Sequence, residues 1–156
     1  MLTKLYKLIS TTFGVGYISK GGGTVAAALY CIIYYWLGNQ INQGFIAVLL
    51  ILLVIILGVW SSNNLEEFWG KDSKKIVIDE VAGMQISLLF ISPNLLNIFC
   101  AFLLFRFFDI VKPLFIKRTE NLPKGWGVMF DDILAGVYAN IILQCILIAL
   151  RYANVN

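Results

Sequence analysis

The 156-residue chain is 60% hydrophobic and 13% charged, with a mean hydropathy of +0.83, which is too apolar for an ordinary soluble domain and suits one compact unit. Its net charge of +3 is small and dispersed, which argues against a nucleic-acid partner. No histidine occurs, so Ser–His–Asp triads, HExxH zinc sites, histidine phosphotransfer and histidine-ligated haem are excluded.

The N-terminal stretch MLTKLYKLISTTF lacks the continuous apolar core and small-residue cleavage site of a signal peptide. Leu2, Leu5, Ile9 and Phe13 recur at helical spacing opposite Lys4 and Lys7, predicting an amphipathic helix on a membrane surface. GGGT at Gly21 to Thr24 lacks the lysine and second glycine of a Walker A loop. It reads equally as a simple helix start or as an anion site built from backbone N–H groups and Thr24.

Five hydrophobic segments follow, at 24–38, 44–61, 76–91, 95–112 and 129–151, and none alternates as a strand would. The expected fold is all-α: a small integral membrane bundle of four to five hydrophobic helices with the N-terminal helix at the interface, in a single domain over 1–156. The uncharged runs from Gly44 to Trp60, Leu95 to Phe105 and Ile133 to Leu150 approach the roughly 17–25 residues that span a bilayer. A soluble buried bundle is the alternative. The third segment is short and carries Asp79 and Glu80, leaving open whether it crosses completely. Cys31, Cys100 and Cys145 stand singly in apolar runs, as small buried hydrophobes do, without the spacing of a metal site.

Charge placement predicts the topology independently. Lys4, Lys7 and Lys20 precede the first segment, Lys71, Lys74 and Lys75 lie between the second and third, and Lys112, Lys117, Arg118 and Lys124 follow the fourth. The connections GNQINQG and SPNLLN carry no charge. Basic loops stay cytoplasmic, so the N-terminus and the 61–75 and 112–128 loops are assigned to the cytoplasm, with Arg151 the one exception.

Five of the nine acidic residues, Asp79, Glu80, Asp109, Asp131 and Asp132, fall within or at the ends of apolar segments. Carboxylates there are costly and usually face one another, a cation or a water-filled cavity. The topology brings all five to one depth, at the cytoplasmic boundary. Arg106, Asp109 and Lys112 lie three apart on one helical stripe that Pro113 helps to end, either as an ion-pair ladder or as a phosphate clamp. Asp131 and Asp132 suit an N-cap, which needs only one of them, or a hard cation such as Mg²⁺. Asp79, Gly83 and Ser87 repeat every four residues, as do Asp132, Gly136 and Asn140. Such small and polar stripes predict close packing that draws the two acidic helix ends together.

The ordered set IDEVAGM (Ile78 to Met84), FRFFDIVKP (Phe105 to Pro113) and GWGVMFDDILAG (Gly125 to Gly136) resembles the phosphatidylglycerophosphatase A family. The likeness runs from about Gly14 to Ala139, with GVG at Gly14 to Gly16 and GGT at Gly22 to Thr24 matching the family's glycine motif. The family usually has Pro-Gly-Thr followed by another Gly, where this chain has Gly22, Gly23 and Thr24 followed by Ala26. The resemblance implies a Mg²⁺-dependent multi-pass enzyme of the bacterial inner membrane, with its active site facing the cytoplasm. It would hydrolyse phosphatidylglycerophosphate to phosphatidylglycerol and inorganic phosphate. It implies metal ligands at Asp79, Glu80, Asp131 and Asp132, a catalytic role for these and Asp109, and phosphate binding by Arg106, Lys112 and Thr24. The rival from another class is a small proton- or cation-coupled transporter using the same carboxylates.

Overall fold

In the computed structural model, which describes residues 2–70, 73–113, 115–119 and 122–153, every regular element among the described residues is helical. Lys71, one of the basic loop residues, lies outside them. The elements are α1 (Leu2–Ser10), a 3₁₀ turn (Val15–Tyr17), α2 (Gly22–Ile41), α3 (Gly44–Trp69), α4 (Ile78–Ser87), α5 (Leu95–Val111), α6 (Ile116–Thr119) and α7 (Gly125–Ala153).

Among the described residues α3 and α7, at 26 and 29 residues, are the helices both long and apolar enough to cross a bilayer. At 1.5 Å per residue they measure about 39 and 44 Å. α5 has 17 residues, and α2, with 20, ends in the polar Asn39 and Gln40. The expected four to five hydrophobic helices therefore reduce to two by this standard. Large apolar side chains nevertheless face outward on all four, among them Trp36, Phe45, Leu53, Leu96, Phe99, Ile110 and Ile146. An apolar exterior of this extent fits association with a membrane.

α4 is only ten residues long, about 15 Å, and so cannot cross as a helix. It runs parallel to α2: Glu80 faces Gly23 at one end, Tyr34 meets the Leu88 and Ile91 carbonyls, and Pro93 packs on Gly38. A helix ending inside an apolar body leaves carbonyls that need donors. Asn42 Nδ2 donates to Leu88 O and Ile91 O at 3.3 and 3.0 Å, and Asn140 Nδ2 to Ser87 O and Leu89 O at 3.1 and 2.9 Å.

α4 also runs parallel to α7, with Gly83 against Gly136 and the Ser87 carbonyl under Asn140. α3 and α5 run the other way, since Asn63 near the end of α3 accepts from Gly125 N at 2.7 Å and Phe105 near the end of α5 packs on Gly83. The starts of α2, α4 and α7 and the ends of α3 and α5 thus share one end of the molecule. The core above that end is built from Tyr34, Met84, Leu88, Ile98, Phe105, Ala135 and Leu143.

α1 packs along α3 through Tyr6, set edge-on to Trp60, and through Ser10, whose hydroxyl donates to Ser61 at 2.8 Å. Leu2, Leu5, Leu8 and Phe13 remain exposed, whereas Ile9 turns inward against the bundle. The predicted amphipathic helix is present, with Leu8 in place of Ile9 on its outer apolar face.

Candidate active site

The end shared by five helices carries a cleft of about 290 Å³ lined by Thr24, Asp79, Glu80, Arg106, Asp109, Lys112, Asp131 and Asp132. All eight residues singled out from the sequence therefore meet at one place, although they come from four different helices and the turn that ends α5.

Close backbone contact assembles the acidic part. A Cβ on Gly136 would overlap the Gly83 carbonyl oxygen, and one on Gly83 would meet Asp132 O at 2.7 Å. Only glycine lets α4 and α7 approach this closely, as the small-residue stripes predicted. One turn toward the helix starts, ligand oxygens of Asp79, Glu80 and Asp132 lie within 4.8 Å of one another. Two oxygens bound across one divalent cation are separated by up to about twice 2.1–2.6 Å, so these three carboxylates fit a single hard cation. Asp79 Oδ1 and Glu80 Oε2 are buried with no hydrogen-bond partner among the described residues. Two buried anionic oxygens without donors are costly unless a cation neutralises them.

Gly23 completes this pocket. A Cβ there would overlap Glu80 Oε1, so the glycine-rich start of α2 gives room for the Glu80 carboxylate. Gly21, with φ of 80°, makes the left-handed turn into the helix that glycine adopts readily.

The basic part departs from the expected stripe. Arg106 Nη1 lies 2.7 Å from Asp109 Oδ2 within α5. This buried nitrogen has no hydrogen-bond acceptor among the described residues, so the contact is one of charge. Lys112 does not continue the stripe, because α5 ends at Val111 and Lys112 takes the left-handed conformation, φ 46°, just before Pro113. Its Nζ crosses to α7 and donates to Asp131 Oδ2 at 2.6 Å. The helix end thus converts a residue at i+6 into a bridge between two helices.

Asp131 and Asp132 differ in the same way. α7 begins at Gly125, so both lie in its second turn and neither is an N-cap. Being adjacent, they point about 100° apart: Asp132 joins Asp79 and Glu80, while Asp131 is engaged by Lys112 and accepts from Asp132 N at 3.0 Å. The trio that comes together is Asp79, Glu80 and Asp132.

The cleft also admits Ser19, Ser73 and Lys74, which the motifs did not mark. The only hint of Lys74 in the sequence is a basic residue shortly before the Asp79–Glu80 pair. Ile18, Ile76 and the glycines Gly21 to Gly23 complete the wall of the cleft.

The model of the phosphatidylglycerophosphatase A family matches residues 8–147. A putative phosphatidylinositol-3-phosphatase of Bacteroides thetaiotaomicron is 42% identical over 144 residues, covering 87% of this chain and 89% of the relative. Phosphatidylglycerophosphatase A of Haemophilus influenzae is 37% identical over 146 residues (89% and 86%), and that of Escherichia coli 31% over 144 residues (90% and 83%). No solved structure matches the chain. A family match over nearly the whole chain, joined to a cleft where clustered carboxylates meet an arginine and a lysine, makes this chain a phosphatase that belongs to the phosphatidylglycerophosphatase A family.

Proposed function

We propose that the chain is a Mg²⁺-dependent, multi-pass phosphatase of the bacterial inner membrane that hydrolyses phosphatidylglycerophosphate to phosphatidylglycerol and inorganic phosphate. The observation that carries this reading is the Asp79, Glu80 and Asp132 cluster, with its partnerless buried oxygens, in the same cleft as Arg106 and Lys112. The family and two relatives named phosphatidylglycerophosphatase A support the substrate.

Asp79, Glu80 and Asp132 would hold a divalent cation, which would polarise the phosphoryl oxygens and acidify water. Arg106 presents its guanidinium to the terminal phosphate, kept in orientation by Asp109. Lys112, anchored by Asp131, offers a second, fixed positive point and stabilises charge as it develops. Thr24 and the N–H groups at the start of α2 contact the remaining phosphate oxygens. Water oxygen bonds to phosphorus as the bond to the glycerol oxygen breaks, and the proton that the water gives up passes to the departing alkoxide.

Lys4, Lys7, Lys20, Lys74, Lys75, Lys112 and Lys124 belong to segments at the end of the molecule that holds the cleft. The positive-inside rule then assigns that end to the cytoplasm. α2, α3, α5 and α7 are taken to cross the bilayer, with the 76–93 segment passing between them as a short helix and a turn.

The Bacteroides relative's name supports phosphatidylinositol 3-phosphate as a second substrate. Both lipids bear a phosphomonoester on a headgroup joined through a phosphodiester. Neither the family nor the relatives support a transporter, and ionisable groups gathered at one end form no path across a membrane.

The test is phosphate release from both lipids by purified protein in detergent, with Mg²⁺ or with EDTA, beside Asp132→Asn and Glu80→Gln. Release by wild type that requires Mg²⁺ and is lost in both variants supports the reading. No release from either lipid, or full activity in both variants, defeats it.

A further inference from the structure

Arg106 and Lys112 are both tied to carboxylates beside the acidic trio, but a third cation lines the cleft from a different segment of the chain. Lys74 lies on the turn that precedes α4, is exposed, and forms no ion pair among the described residues. Its neighbours are committed elsewhere: Lys75 Nζ stands 5.3 Å over the Trp69 ring, which also receives Lys7 at 5.7 Å.

The backbone around Lys74 is fixed. Ile76 N donates to Ser73 O at 2.8 Å and Val77 N to Ser10 O at 2.8 Å, and the Lys75 carbonyl rests so closely on Gly16 that no Cβ would fit there. The turn is thereby clamped to the last residue of α1 and to the 3₁₀ turn after it; Leu2, Leu5 and Leu8 of α1, and Phe13 just beyond it, are exposed. Lys74 thus lines the cleft from a turn held against the end of α1, and Ser19 and Ser73 share its wall.

A cleft of about 290 Å³ is larger than one phosphate group fills. Resting on the phosphatase reading above, we infer that Lys74 is a specificity-determining residue. It engages the phosphodiester of a lipid whose headgroup phosphomonoester is held by Arg106 and Lys112. The ligand chemistry is two phosphates separated by a short polyol, shared by phosphatidylglycerophosphate and phosphatidylinositol 3-phosphate and lacking in phosphatidic acid.

The experiment measures kcat and KM for these three lipids in mixed micelles, using the wild-type protein, Lys74→Gln and Lys74→Arg. One exposed charge contact, screened by salt, sets the scale of the effect. Lys74→Gln should raise KM for the diester-containing lipids roughly two- to fivefold, with the loss in KM rather than kcat, and lower their kcat/KM relative to phosphatidic acid. Lys74→Arg should restore both, and added NaCl should erode the wild-type preference. A fall for both diester lipids makes the diester the shared determinant, and a fall for one alone identifies that lipid. The inference is overturned if Lys74→Gln leaves the preference intact, whether the three rates fall together or not at all. Wild-type release from phosphatidic acid alone overturns the inference but keeps a lipid phosphatase, whereas release from none of the three overturns both.

Discussion

Gly136 lies against Gly83 so closely that a methyl group on Gly136 would overlap the Gly83 carbonyl oxygen, and this contact sets the separation of Asp132 from Asp79 and Glu80. Gly136→Ala should therefore push α7 away from α4. Overpacking of this kind costs about 1–3 kcal/mol, and activity should fall further than the loss of folded protein explains. Thermal unfolding in detergent beside specific activity separates the two effects.

Gly23→Ala provides a more selective perturbation, because its Cβ would meet the free end of the Glu80 side chain, with no backbone in the way. Glu80 can swing aside and the fold should survive. Displacing a ligand through its supporting shell typically costs 10–100-fold. The variant should keep a wild-type circular dichroism spectrum and need roughly that much more Mg²⁺ for half-maximal activity.

Three carboxylates within 4.8 Å repel one another until a cation binds. Mg²⁺ should therefore raise the unfolding temperature of the wild-type protein, the stabilisation reaching about 2.7 kcal/mol at a hundred times the dissociation constant. Asp132→Asn should abolish most of this shift. An equal Mg²⁺ effect in that variant would refute the assignment of Asp132 to the cation site.

Lys112 and Asp131 form a largely buried pair at 2.6 Å. Lys112→Met leaves the Asp131 charge without that ammonium and should destabilise by roughly 1–3 kcal/mol, somewhat below the cost of breaking a fully buried pair. Adding Asp131→Asn should recover part of the stability but none of the activity, since the positive charge beside the phosphate is still missing. A double-mutant cycle read by both unfolding and turnover checks this.

At the opposite end, Asn140 satisfies the Ser87 and Leu89 carbonyls where α4 stops. Asn140→Leu should leave them without that donor and cost about 1–3 kcal/mol. It should not alter kcat per folded molecule, because the change lies more than two turns of α7 beyond Asp132. Activity normalised to the folded fraction is the measurement.

Much of the site was legible in the sequence because apolar surroundings limit where charge can go. Five costly carboxylates in apolar segments, together with alternating basic and neutral loops, converge on one end before any contact is known. The four-residue spacing of Gly83 and Gly136 from Asp79 and Asp132 also foretold that two acidic helix ends would be drawn together. The limits of α7 were less legible, because the Gly-Trp-Gly stretch before Asp131 has weak helix propensity. Asn63, distant in sequence, accepts from Gly125 N and helps to anchor the helix start there.

Sequence alone determined that this is an all-helical, strongly apolar chain of the phosphatidylglycerophosphatase A family with one concentrated set of acidic and basic residues, since periodicity, apolar length and charge are properties of residues in order. Tertiary structure decided how that set divides: Asp132 with Asp79 and Glu80, Asp131 with Lys112, Arg106 with Asp109, Gly23 against Glu80, and Lys74 in the same cleft. Adjacent residues on a helix point about 100° apart, so the partner each one finds depends on which neighbouring helix lies on its side. That placement arises from glycine-mediated packing and from the left-handed turn at Lys112, and neither can be read from spacing.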